Sequence, residues 1–186
     1  MALPRTLILG GARSGKSTRA EQLLAGHPDV LYVATGGDRG GDEDWAHRVD
    51  LHRSRRPASW RTAETCDLEA VLADRADGAP VLVDCLALWL THVMDECDAW
   101  AEEGWHRGAE AAVLARCRAL AEAWRATERQ VVAVSNEVGM GVVPATAAGR
   151  RFRDTLGRLN MDVAEGSERV LLVVAGQVLT VKPVGV

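Results

Sequence analysis

Gly10-Gly11-Ala12-Arg13-Ser14-Gly15-Lys16-Ser17 fits the phosphate-loop pattern G-x-x-x-x-G-K-[ST]. Its chemistry is the holding of a nucleoside triphosphate. Glycines let backbone N–H groups turn inward as an anion nest, and a following helix adds partial positive charge at its N-terminus. Lys16 is expected to reach the β- and γ-phosphates, and the Ser17 hydroxyl to hold Mg²⁺. Among the basic residues only Lys16 and Lys182 are lysine; the others are arginine. At position 16 a compact ammonium fits a tight cradle that a planar guanidinium does not. Further along, Val81-Leu82-Val83-Asp84 is an apolar run ending in a carboxylate: either the form in which an Asp holds or orients the metal shell, or an Asp at a strand end that caps the next helix. His52 is the third chemical group, set among Arg48, Arg53, Arg55, Arg56 and Arg61. It has two readings. It packs beside Trp45 and Val49 as a core histidine, or its neutral imidazole attacks an α-phosphate, forming a nucleotidyl-histidine and releasing pyrophosphate. The arginines are either a solvated helix face or a neutralising cluster for phosphates. Their density in an acidic protein favours phosphates.

These groups need particular elements to hold them. Thr6-Leu7-Ile8-Leu9 reads as a strand before the loop, and Ser17 to Ala25 as a helix after it, stopped by Gly26-His27-Pro28. Val30 to Ala34 is a second buried strand. Ligands in open α/β sheets bind outside the carboxyl ends of strands, so Ala34, Thr35 and Gly36 are expected near the phosphate loop if the two strands are close in the sheet. A helix is expected from Asp42 to about Arg56, with Trp45, Val49 and His52 on one face. Ser59 to Glu64 reads as extended, and a short helix opens at Asp67. Leu86 to Glu96 reads as a buried helix, and Asp95 to Glu110 as a polar loop or lid edge. Val113, Cys117, Leu120 and Trp124 stripe one helix; Phe152, Leu156, Leu159 and Val163 stripe another. Val131 to Ser135 is a strand, followed by the loop Asn136 to Gly141. Val170–Val174 and Val178–Val181 read as a terminal hairpin. Strands alternating with helices, then a hairpin, give a mainly parallel sheet wrapped by helices with an antiparallel edge.

The chain has 186 residues, which fits one nucleotide-binding domain over 1–186. Its composition is that of an ordinary soluble protein, and no apolar run is long enough to span a membrane. No signal peptide is expected, because the first strand serves the phosphate loop. Cys66, Cys85, Cys97 and Cys117 form no C-x-x-C and read as reduced thiols of a cytoplasmic protein. A net charge of −4 argues against general nucleic-acid binding. A switch GTPase would carry N-K-x-D, and neither lysine follows an asparagine. A small-molecule kinase, which needs no histidine, remains open. So does a nucleotide-binding regulatory protein.

Six ordered blocks carry a family resemblance. They are Gly10 to Ser17; Leu31-Tyr32-Val33-Ala34-Thr35; His52 with Arg56-Pro57 and Trp60-Arg61-Thr62-Ala63-Glu64; Val83-Asp84-Cys85-Leu86; Ser135 to Pro144; and Phe152-Arg153-Asp154 with Gly157 and Asn160. With these the chain resembles the bifunctional adenosylcobinamide kinase / adenosylcobinamide-phosphate guanylyltransferases of cobalamin biosynthesis. The resemblance implies a P-loop NTPase-type, RecA-like fold and a homotrimer. It implies phosphorylation of adenosylcobinamide by ATP or GTP, then transfer of GMP from GTP to give adenosylcobinamide-GDP. The family's guanylylated histidine falls on His52. Its GTP contacts fall on Gly10, Gly11, Ala12, Arg13, Ser14, Gly15, Lys16, Ser17, Ala34, Thr35, Gly36, Arg53, Ser54, Arg55, Arg56, Glu64 and Asp84. Glu64 is either a solvated carboxylate or an acceptor for the guanine N1–H and 2-amino group. The chain departs from its relatives at His92, commonly Asn, and at Met161, commonly Gln.

Overall fold

Parallel strands buried on both faces organise the chain, as seen in a computed structural model that describes residues 5–37, 47, 50 and 56–184. The strands are β1 (Arg5–Gly10), β2 (Leu31–Ala34), β3 (Arg61–Glu64), β4 (Val81–Asp84), β5 (Val131–Asn136), β6 (Arg169–Val174) and β7 (Gln177–Lys182). They form one sheet in the order β3-β2-β4-β5-β1-β6-β7, parallel except for the β6–β7 hairpin. Successive side chains on a strand point to opposite faces. Leu7 and Ile8, Leu82 and Val83, and Ala133 and Val134 are all buried, so helices cover both sides.

Among the described residues the helices that flank the sheet include α1 (Lys16–Leu24), α2 (Leu68–Ala73), α3 (Leu86–Glu96), α4 (Glu110–Ala126) and α5 (Ala147–Glu165). Asp67 caps α2 by accepting from the Ala70 N–H at 3.1 Å, and Thr146 caps α5 through the Gly149 N–H at 3.1 Å. The α4 stripe Val113, Cys117, Leu120 and Trp124 is buried, as the spacing predicts. Of the expected helix over 42–56, only His47, Asp50 and Arg56 are among the described residues, and His47 and Asp50 are helical.

One expectation is corrected. Asp95 to Glu110 is not simply a loop. A helical turn at Glu102–Gly104 runs into a π-helical turn at Trp105–Ala109 and then into α4. Gly104 and Gly108 hid this, since glycine weakens the helical signal. Gly108 also takes φ 123°, which kinks the turn. Trp105 is buried there, and the Arg151 guanidinium lies 5.3 Å from its ring centroid.

The two edges of the sheet do different work. At the amino ends of the strands, Arg5 of β1 pairs with Glu168 through Nε at 3.1 Å. Arg61 of β3 donates to Asp29 and Asp77, each at 3.0 Å. Arg129 is buried and donates to the Ala79 and Val71 carbonyls while lying 3.3 Å from Asp77. These pairs pin strand starts together. The carboxyl ends carry the phosphate loop and Asp84. Among the described residues no helix is long and apolar enough to cross a membrane.

The phosphate loop is braced from its flank by the hairpin. The Gly176 N–H donates to the Ser14 carbonyl at 2.9 Å, and the Glu137 N–H donates to the Gly10 carbonyl at 3.1 Å. A Cβ at Gly10 would lie 2.4 Å from Ser14 Oγ and 2.6 Å from the Val173 carbonyl oxygen. At Gly11 an added Cβ meets nothing within 4 Å.

Two outcomes follow from this packing. Gly10→Ala is expected to lower stability by about 1–3 kcal/mol, because the clashing Val173 oxygen is backbone and cannot swing away. Gly11→Ala is expected to unfold at the wild-type temperature; thermal melts of the two variants check the contrast. The second outcome concerns pH. Hydrogen bonds from Arg61 and from the Ala79 N–H hold the Asp77 carboxyl at about 2, below its ordinary 3.8. A depressed folded value means that the ionised group stabilises the fold above the unfolded value and that this is lost as pH falls. Asp77→Asn should therefore melt lower than wild type at neutral pH, with the gap closing between about pH 4 and pH 2.

Candidate active site

The phosphate loop leaves a helix start open to a ligand. Gly15 takes φ 98°, a left-handed conformation suited to glycine, and α1 begins at Lys16 with no side-chain cap and no acidic residue in its first turn. Its first N–H groups are therefore available to an anion. Arg13 also has positive φ, at 56°. Lys16 Nζ folds back to the Gly11 carbonyl at 3.1 Å. Burial lowers its pKa below the usual lysine value, and the neighbouring Asp84 charge opposes that shift.

Asp84 meets this loop from β4. Ser17 Oγ donates to its Oδ1 at 3.4 Å, and Tyr32 Oη donates to its Oδ2 at 2.7 Å. The two groups expected to hold Mg²⁺ are thus neighbours, although sixty-seven residues separate them in the chain. Both present hard oxygen atoms, the donor type magnesium takes alongside phosphate oxygens and water. The fit is therefore good.

Ala34 and its neighbours reach the site by a different route from the one expected. β2 is not beside β1; β4 and β5 lie between them. The link is register. Glu64, Ala34 and Asp84 pair across β3, β2 and β4 as one row at the carboxyl edge. With strands about 4.8 Å apart, that row puts Glu64 roughly 10 Å from Asp84 at the backbone. Thr35 is buried, and its hydroxyl donates to the Cys85 carbonyl at 2.7 Å and accepts from the Cys85 N–H at 2.9 Å. That clamp fixes the strand ends, and its side chain is engaged with the protein. Burial, then the Asp84 charge, pushes the Cys85 thiol up to about 12, so it is a neutral packing group.

The arginine segment is represented by Arg56. Its guanidinium lies 3.6 Å from the centroid of the Tyr32 ring, and its Nη1 donates to Thr62 Oγ1 at 3.3 Å. His52, Arg53, Ser54 and Arg55 lie outside the described residues.

Two positions make contacts that no local sequence pattern shows. Tyr32 is buried and joins Arg56 to Asp84. Its pKa is raised, first by burial and then by the Asp84 charge, so the phenol stays a proton donor. Asn160 of α5 accepts from Ser135 Oγ at 2.6 Å and donates to the Asn136 carbonyl at 3.0 Å, fixing the start of the loop beside Gly10. A lone tyrosine in a buried strand and an asparagine on a buried helix face were the available signals; the partners were not.

Known proteins are similar to this chain in fold and in sequence. An ATPase of the type III secretion system of pathogenic bacteria superposes with a TM-score of 0.54 at 15% identity, covering 91% of this chain and 50% of that one. At that identity the likeness concerns the fold alone, and this chain spans half the length of that one. The chain is 38% identical over 174 residues to the bifunctional adenosylcobalamin biosynthesis protein CobU of Escherichia coli K12, covering 91% of this chain and 95% of that protein. It is 41% identical over 181 residues to the bifunctional adenosylcobalamin biosynthesis protein CobP of Pseudomonas aeruginosa, covering 96% and 97%. A family model described as cobinamide kinase / cobinamide phosphate guanyltransferase matches residues 6–181, and the chain belongs to that family.

Proposed function

We propose that this protein phosphorylates adenosylcobinamide with ATP or GTP and then transfers GMP from GTP to the product, giving adenosylcobinamide-GDP. The observation that carries the reading is the meeting of Lys16, Ser17 and Asp84 in a chain of this family. In the first reaction the aminopropanol hydroxyl oxygen attacks the γ-phosphorus. The bond to the β–γ bridging oxygen breaks, and the nucleoside diphosphate leaves. In the second, an imidazole nitrogen of His52 attacks the α-phosphorus of GTP, and pyrophosphate leaves. A phosphate oxygen of adenosylcobinamide phosphate then attacks the same phosphorus and breaks the P–N bond, regenerating His52.

The chain's own residues divide this work. Gly10 to Ser17 hold the triphosphate, with Lys16 on its β- and γ-oxygens. Ser17 and Asp84 would hold Mg²⁺, which neutralises charge on the phosphate oxygens when bound. Arg53, Arg55 and Arg56 balance charge on the transferred and leaving groups. Ser54 lies among them. Ala34, Thr35 and Gly36 line the adjoining strand end. Glu64 accepts from guanine N1–H and the 2-amino group, a contact that adenine lacks.

We place the protein in the cytoplasm as one nucleotide-binding domain over 1–186, acting on small molecules and not on nucleic acid. The assembly we propose is a homotrimer. The exposed apolar side chains of Met140, Val142 and Val143, and of Leu179 and Val181 on β7, give such an assembly surface to cover.

Intact-mass measurement after incubation with GTP and Mg²⁺ tests the reading. The expected gain is one GMP per chain, acid-labile and base-stable. His52→Ala should abolish it while leaving phosphoryl transfer in place. A kinase without nucleotidyl transfer, or a regulator that only binds nucleotide, would show no gain in the wild type. GMP retained by His52→Ala would remove the histidine from the mechanism.

A further inference from the structure

Tyr32 is the sole tyrosine of the chain, and it is almost fully buried in β2. A buried hydroxyl needs a hydrogen-bond partner, and backbone carbonyls commonly serve. Here the hydroxyl instead bonds Oδ2 of Asp84 at 2.7 Å. The other oxygen, Oδ1, faces Ser17 Oγ at 3.4 Å. A carboxylate gripped at one oxygen cannot rotate freely, so its second oxygen keeps its aim. The ring has a separate use. The Arg56 guanidinium sits over its face at 3.6 Å from the centroid, well inside cation–π range. Arg56 follows His52 by four residues. One side chain thus touches the carboxylate beside the phosphate loop and the end of the arginine segment.

We propose that Tyr32 is a positioning residue for both reactions: its hydroxyl sets the Asp84 carboxylate for the divalent cation, and its ring docks Arg56. This rests on the reading of Ser17 and Asp84 as the cation site. The two uses are separable by substitution. Tyr32→Phe keeps the ring and removes the hydroxyl. Tyr32→Leu removes both.

The first measurement is Mn²⁺ binding by electron paramagnetic resonance, with the full chain and a non-hydrolysable GTP analogue. Tyr32→Phe is expected to bind Mn²⁺ about tenfold more weakly, the scale of one lost hydrogen bond to a charged group. At saturating metal its KM for GTP in histidine guanylylation should stay within about twofold of wild type, whereas Tyr32→Leu should raise it about fivefold, the scale of a partly exposed cation–π contact. The second measurement uses ¹³Cζ-tyrosine, which gives a single resonance in this chain. Asp84→Asn should move that resonance before any metal is added, and Mg²⁺ with the analogue should move it in the wild type. If Asp84→Asn weakens Mn²⁺ binding but Tyr32→Phe does not, the role of Tyr32 falls and the cation site stands. If Asp84→Asn binds Mn²⁺ as wild type does, the cation reading falls and takes this proposal with it. A resonance indifferent to Asp84→Asn would overturn the contact itself.

Discussion

The Asp84 carboxylate is where separate parts of the chain are made to agree. It ends β4, accepts from Tyr32 of β2, and faces Ser17 at the start of α1. A partly buried carboxylate is costly unless its oxygens are satisfied. The fold satisfies it with Tyr32 Oη on Oδ2 and Ser17 Oγ on Oδ1. The β2–β4 pairing brings Tyr32 within reach, and the β4–β5–β1 order brings the phosphate loop alongside. If either pairing slipped by one residue, every side chain on that strand would change face and the cluster would be lost.

The phosphate loop depends on a similar agreement. Its glycines permit the turn, but three other segments hold it in place. Gly176 of the β6–β7 turn caps the Ser14 carbonyl, Glu137 caps the Gly10 carbonyl, and Asn160 fixes the strand end from which Glu137 departs. The terminal hairpin is therefore more than an edge. It braces the phosphate loop, while the ion pairs of Arg5, Arg61 and Arg129 lie at the opposite, amino ends of the strands.

What the sequence made legible was local. The phosphate loop needs only strand, glycines and helix in succession, and each has a short-range signal. Helix stripes such as Val113, Cys117, Leu120 and Trp124 follow from a 3.6-residue period. Contacts set by strand order were not legible. Nothing at Tyr32 says that β2 will pair with β4, so its bond to Asp84 was invisible. For the same reason Ala34 reached the site by register with Asp84 and Glu64 and not by lying beside β1. The helical turns before α4 were missed because Gly104 and Gly108 interrupt the pattern. His52 was legible only as a histidine among arginines, and its weight comes from the family.

One cradle serving two attacks is the central claim. The same loop would present the γ-phosphorus to a hydroxyl and the α-phosphorus to an imidazole, with the choice made by what approaches. Lys16 would be the group common to both, since its ammonium would bind the triphosphate whichever bond breaks. The most direct measurement is of both reactions in a folded Lys16→Ala protein, phosphoryl transfer to adenosylcobinamide and formation of GMP-histidine from GTP. The account predicts that both fall together by at least about a hundredfold, the scale of removing one preorganised charge from a phosphoryl-transfer site. Guanylylation at the wild-type rate beside a lost kinase activity would show that the two reactions use different cradles.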